Sequence, residues 1–241
     1  FIVTLDENGR EDVKGVVNVP IVEDKLGIKL FGAQIKSDGF VYNTTLEEDV
    51  GGDDVQNYGF AAKWQPTEQF DIKLHYEKTK DESDQGAYVN QNVGTDNTCV
   101  FFNSCVTNTT DNENQNSSNT RNFSDNEYDT TILTANYDFG NMVLTYIGAQ
   151  RDMDEQNMQS FDASPADFLD MNYFNEWDQE SHELRLTTNF DGPLNFVAGL
   201  YSFEVDYTPY WDVYHLHWTY NAVLGFPLFP DVTAPTSAKT Q

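Results

Sequence analysis

Gln69-Phe-Asp-Ile-Lys-Leu-His-Tyr-Glu-Lys-Thr-Lys80 is the stretch that decides the fold. Phe70, Ile72, Leu74 and Tyr76 alternate with Asp71, Lys73, His75 and Glu77, so one edge of the chain is apolar and the other wet at a period of two. Only a β-strand sorts consecutive residues onto opposite faces in that way. The same alternation runs outward in both directions. In 55–65, Tyr58, Phe60, Ala62 and Trp64 oppose Asn57, Gly59, Ala61 and Lys63. In 25–36, Leu26, Ile28 and Leu30 oppose Gly27 and Lys29, and in 177–190, Leu184, Leu186, Thr188 and Phe190 oppose Glu183, Arg185 and Thr187. Weaker versions occupy 1–5, 12–21, 127–139, 142–151 and 194–207. The pattern predicts about nine strands and no helix.

The connections alternate in length. Tight turns rich in Asp, Asn, Gly and Pro follow the second, fourth, sixth and eighth strands, at 22–24, 66–68, 140–141 and 191–193. Long segments at 37–53, 81–125, 152–176 and 206–241 follow the third, fifth, seventh and ninth. In an antiparallel meander every second connection falls at the same end, so one end carries turns and the other long loops. That is the sidedness of a transmembrane β-barrel. Charge divides the same way: the four long segments hold 22 acidic residues against Arg121 and Lys239 alone, and so carry −20 of the chain's −27. Predicted strands of 10 to 14 residues suit a tilted membrane-spanning strand of ~9–11 residues with some overhang.

With 13 Lys+Arg against 40 Asp+Glu and a pI near 4.1, the chain is a poor partner for nucleic acid or anionic headgroups. An apolar fraction of 39% with 17 Phe, 13 Tyr and 4 Trp is too aromatic for a disordered acidic segment, even at a mean hydropathy of −0.59. The longest run without a polar residue, 222–230, is far short of the ~20 residues of a spanning helix. The chain opens on Phe1 without a signal-like segment, as a processed chain or a piece of a longer one would.

Little in the sequence reads as reaction chemistry. His182-Glu-Leu-Arg-Leu186 begins like a zinc-protease motif but has Leu186 where the second His belongs, and no nucleophile elbow, Walker or dinucleotide motif occurs. Neither an enzymatic activity nor a cofactor is expected. Cys99 and Cys105 read as a small loop-stapling disulfide of an oxidising compartment, with a metal site or reduced thiols as alternatives. Glu47, Glu48, Asp49, Asp53 and Asp54 around Gly51-Gly52 are either a Ca²⁺-wrapping loop or a solvated acidic one. Tyr210, Trp211, Tyr214, His215, His217 and Trp218 admit two readings: a stacking surface for a sugar ring or catecholate with two His beside it, or an extension of the ninth strand into an interfacial aromatic girdle. The Asn-rich run 108–122 reads as a polar excursion.

Several stretches resemble the barrel of the TonB-dependent receptors, the active transporters of Gram-negative outer membranes. They are Asp12-Val-Lys-Gly-Val-Val-Asn-Val-Pro-Ile21, the 30–43 strand ending in Ser-Asp-Gly-Phe-Val-Tyr-Asn43, and the turn Trp64-Gln-Pro-Thr-Glu-Gln-Phe70. Most specific are Glu180-Ser-His-Glu-Leu-Arg-Leu-Thr187 and Gly192-Pro-Leu-Asn-Phe-Val-Ala-Gly-Leu-Tyr201, where His182 stands in place of the more usual Gln. The resemblance implies an open segment, 1–241, from the first half of a twenty-two-stranded barrel, without the plug domain through which the TonB complex acts. It implies an outer-membrane location, lipid around the wall, a monomeric parent and import of a scarce nutrient: an iron-siderophore, cobalamin or oligosaccharide. On that reading Lys73, His75, Glu77, Glu183 and Arg185 face the lumen, toward plug or substrate. The rival from another class is a soluble extracellular β-sandwich or adhesin-like carbohydrate-binding module.

Overall fold

The computed structural model describes residues 1–6, 9–89, 113–165, 169–214 and 236–239. Its strands, in chain order, are β1 (Ile2–Leu5), β2 (Glu11–Val22), β3 (Leu26–Lys36), β4 (Val41–Asn43), β5 (Glu48–Val50), β6 (Asp54–Trp64), β7 (Phe70–Asp81), β8 (Gln115–Asn116), β9 (Phe123–Asp138), β10 (Met142–Ser160), β11 (Asp170–Thr188), β12 (Val197–Tyr214) and β13 (Thr236–Lys239). Nine of them, from β1 to β12 without β4, β5 and β8, form one antiparallel meander in sequence order, and the short β13 adds to its far edge. Among the described residues β1 does not return to pair with β12 or β13, so the sheet is open, as the resemblance implied.

The turn end is built as its residues dictate. Asp24 and Gly140 take the left-handed conformation, at φ 57° and 95°, that reverses the chain between β2 and β3 and between β9 and β10. Asp138 accepts the Gly140 amide at 2.6 Å, and the Thr67 hydroxyl accepts the Phe70 amide at 3.1 Å. Between β11 and β12, Asn195 clasps Phe190 from both sides, accepting its amide at 2.6 Å and donating to its carbonyl at 3.1 Å.

Residues directly opposite each other in an antiparallel ladder share a face, so the register assigns faces across the whole sheet. Phe70, Tyr137, Leu144 and Leu186 stand in one row, and Ile72, Ala135, Tyr146 and Leu184 in the next on the same face. The opposite face carries the row Lys73, Thr134, Ile147 and Glu183, with Arg185 in the row below it. The predicted separation of apolar from charged sets is therefore met in the register. Loops fold over the charged face: the Gln85 amide donates to Ser124 and Asn157 there, each at 2.7 Å. We call this the inner face.

At the loop end the structure differs from the sequence reading in two ways. Strands β10 and β11 continue through most of 152–176, leaving 161–169 as the connection, and β12 carries 206–214. Polar residues on both faces hid these extensions, because a strand without apolar contrast has no visible period. The second difference is the three-stranded sheet of β5, β4 and β8, in which β4 and β8 are parallel. It puts Val41 and Val50 among the few buried apolar residues. Asn43, 1% exposed, ties it together by accepting the Thr45 and Leu46 amides and donating to the Ser118 carbonyl at 3.0 Å. Asp84 closes the corner by accepting the Gly51 and Gly52 amides while paired with Arg121 at 2.8 Å.

Candidate binding surface on the inner face

The long strands β9 to β12 raise a wall above the apolar band, and its inner surface is aromatic and amide-rich. One row across the four strands reads Tyr128, Met153, Trp177 and Tyr207. The Trp177 and Tyr207 rings lie 5.2 Å apart at 55°, a tilted contact, and the Arg151 guanidinium sits 6.0 Å from the Tyr128 ring. Between this row and the next above it on the same face runs a chain of hydrogen bonds spanning all four strands. Tyr128 donates its hydroxyl proton to Glu155 Oε1 at 2.7 Å, Asn175 donates to Glu155 Oε2 at 3.0 Å, and Tyr207 donates to Asn175 Oδ1 at 2.9 Å. Both carboxylate oxygens of Glu155 are thus held by neutral donors, which fixes the two phenol hydroxyls.

The aromatic set predicted from the sequence is divided by this geometry. Trp211 lies in an inner-face row with Asn157 and Tyr173 and is 52% exposed. Tyr210, its neighbour in the strand, is on the outer face against Phe174, ring centroids 5.6 Å apart. Tyr214 is the last residue of β12, while His215, His217 and Trp218 lie outside the described residues, as do Cys99 and Cys105. Sequence reasoning missed Tyr128 and Trp177. The odd-numbered spacing of Tyr173, Asn175, Trp177 and Gln179 was the signal available for the β11 part.

The acidic cluster of 47–54 is dispersed. Asp53 pairs with Arg10 at 2.9 Å, Asp54 with Lys36 at 3.3 Å and Glu48 with Arg121 at 3.1 Å, while Glu47 is a left-handed turn residue at φ 59° and Asp49 is exposed. Three of the five carboxylates face cations of the chain itself, and no group of three metal-ligating side chains is found among the described residues.

Lower on the inner face, Lys29, Lys63, Lys73 and His75 line a cavity of about 620 Å³ together with Gly27, Ala61 and apolar residues that include Val19, Pro20 and Ile132. Lys63 and Lys73 are direct cross-strand partners, a like-charge pairing that costs stability unless an anion sits near it. His75 stacks on Phe31 at 5.6 Å and meets Glu77 at 3.2 Å. Glu183 pairs with Arg185 at 3.3 Å.

The outer face changes character along the strands. Above the apolar rows come Thr131, Gln150, Glu180 and Glu204, then Asp129, Asp152, Asp178 and Asp206, four carboxylates directly opposite one another on adjacent strands. Glu127, Asp154 and Glu176 follow. On β7 only Lys78 and Lys80 answer them, Lys78 bonding both Glu127 and Asp129.

An open, one-sided antiparallel wall with turns at one end and loops at the other is a segment of a large β-barrel. Among solved structures it is similar to the ferric yersiniabactin uptake receptor FyuA from Yersinia pestis, with a TM-score of 0.66 and 16% identity over 86% of this chain. The match covers 30% of that receptor, so the chain spans less than a third of its length, and at this identity the likeness shows the fold alone. No family model and no curated protein matches the sequence.

Proposed function

We propose that the chain is part of the wall of an outer-membrane TonB-dependent transporter that imports a small-molecule nutrient. The observation that carries this reading is the outer face: apolar rows over the lower strands that turn abruptly to carboxylates above. The 18 residues of β12 would extend about 60 Å at ~3.3 Å per residue, roughly twice a hydrocarbon core of ~30 Å. A wall of that height spans the bilayer and stands clear of it, carrying its acidic half in water. The similarity in fold to an uptake receptor supports the same assignment. The basic cavity of Lys29, Lys63 and Lys73 is the natural seat for an acidic surface of a plug domain, through which the TonB complex would act, and no enzymatic step is assigned to the chain. A soluble β-sandwich is disfavoured by the nine-strand unbroken meander, since sandwiches alternate strands between two packed sheets.

Cysteine labelling of the parent protein in intact cells tests the proposal. In a Cys99→Ser, Cys105→Ser background, Asp49→Cys at the loop end should react with a membrane-impermeant maleimide, and Glu68→Cys in a turn should react only after the outer membrane is opened. Equal reactivity of both in intact cells, or recovery of the protein in the soluble fraction, refutes it.

A further inference from the structure

We infer that the inner-face aromatic row of β9 to β12 binds a neutral oligosaccharide, and that the nutrient carried by this wall is a glycan rather than an anionic metal chelate. The inference rests on the transporter reading and adds the substrate class. Three features on the inner face converge on it. First, Trp177 and Tyr207 present a tilted pair of rings, Tyr207 being 47% exposed, with Met153 and Tyr128 continuing the row across β10 and β9. The axial C–H faces of a pyranose pack against such rings, burying area on a rigid platform at little cost in side-chain entropy. Second, the groups fringing the rings are planar amides. Gln179 accepts from the Trp177 indole at 3.3 Å and Asn175 lies in the row above, while Asn157 and Gln159, higher on β10, are buried and bonded within the wall. An amide both donates and accepts, which is what a ring of hydroxyls demands and what a carboxylate or catecholate ligand does not need.

Third, charge separates the two ligand classes. On β9 to β12 the aromatic row is flanked by one cation, Arg151, and one anion, Glu155, each two residues from Met153 along β10, and Asp81 on β7 adds a second carboxylate near Tyr128. The four long segments, which include the upper parts of β10 to β12 as well as the connections, carry −20. A ferric tris-catecholate is a trianion and would approach through a repulsive field, whereas a neutral sugar is indifferent to it. The cations that do cluster, Lys29, Lys63 and Lys73, sit on β3, β6 and β7, away from the aromatic row and toward the turn end.

Binding to the purified full-length parent protein in detergent tests the inference. Tryptophan fluorescence titrations would use maltohexaose, cellohexaose, xylohexaose, mannohexaose and laminarihexaose, with the ferric complex of enterobactin as the anionic probe. At least one hexasaccharide should quench saturably, Trp177→Ala should weaken it 10-fold or more, and Trp177→Phe should weaken it about threefold. Tyr207→Phe, which keeps the ring and removes the bond to Asn175, should fall between wild type and Tyr207→Ala. Saturating sugar should protect Trp177 of the unaltered protein from N-bromosuccinimide, read by peptide mass spectrometry, which answers the question even where Trp177→Ala fails to fold. Binding of none of the hexasaccharides, or binding with Trp177 left unprotected, overturns the inference. Tight binding of the ferric complex that Trp177→Ala abolishes overturns it too, while leaving the transporter reading intact. Failure of that reading shows instead in the labelling of intact cells.

Discussion

Gly59 shows how little room a single position leaves. A Cβ there would come within 2.2 Å of the Tyr76 carbonyl oxygen and 2.7 Å of the Phe31 ring, which lies across the glycine to stack on His75. Gly59→Ala therefore has to push β6 away from β7 or expel Phe31, at a cost of roughly 1–3 kcal/mol. The check is a lower denaturation midpoint of the detergent-solubilised protein, with Gly86→Ala as the control, since a Cβ at Gly86 meets nothing within 4 Å. The sequence showed Gly59 only as a small residue on the wet side of a strand; the ring that lies over it comes from Phe31, one strand away. Tyr210 and Trp211 make the same point about the binding surface. Both are large and aromatic, so the alternation that sorts Leu from Lys elsewhere is silent between them. Only the register with Phe174 and Tyr173 assigns one to each face.

Strand boundaries were legible where a strand has an apolar side and illegible where it has none. The strands around 55–65 and 69–80 lie within a residue of β6 and β7, whereas β10 runs nine residues past its expected end at 151, to Ser160. There Asp152 and Asp154 take the outer positions, and backbone pairing to β9 and β11 holds the extension without an apolar row. β4 and β8 were illegible for another reason: three and two residues long, they pair across a separation of about seventy residues that no local pattern reports. The carboxylate row has a measurable consequence at this scale. Asp178 stands between Asp152 and Asp206, and like charges directly opposite in a ladder destabilise it. Asp178→Asn should raise the denaturation midpoint at low ionic strength, and the gain should shrink in 1 M salt, where the Debye length is about 3 Å. A gain indifferent to salt would assign it to something other than charge.

Among the described residues the sheet has two free edges, at β1 and at β13 with the stretch of β12 it leaves unpaired, and wide apolar exposure on its outer side, including Val17, Leu30, Leu184 and Leu200 at 57%, 50%, 42% and 75%. An open edge and an uncovered face of that size invite pairing with other chains. The 241-residue chain produced alone should therefore elute as large assemblies in size-exclusion chromatography without detergent, while on the transporter reading a full-length parent, its ladder closed by further strands, stays dispersed in micelles. A discrete monomer of the isolated chain in plain buffer would contradict this. The meander and its two unlike ends were readable from turn spacing and loop charge, because both are long-range averages that survive local ambiguity, whereas the openness of the sheet entered through the resemblance. The belt of Asp129, Asp152, Asp178 and Asp206 carries one consequence further. On the transporter reading, each hairpin must drag ionised groups through oil before the wall reaches its resting depth, and an unpaired charge at the bilayer centre costs several kcal/mol. Retreat would meet the same barrier as entry. On that reading the belt acts as a latch, holding a seated wall at the depth where its carboxylates stay in water.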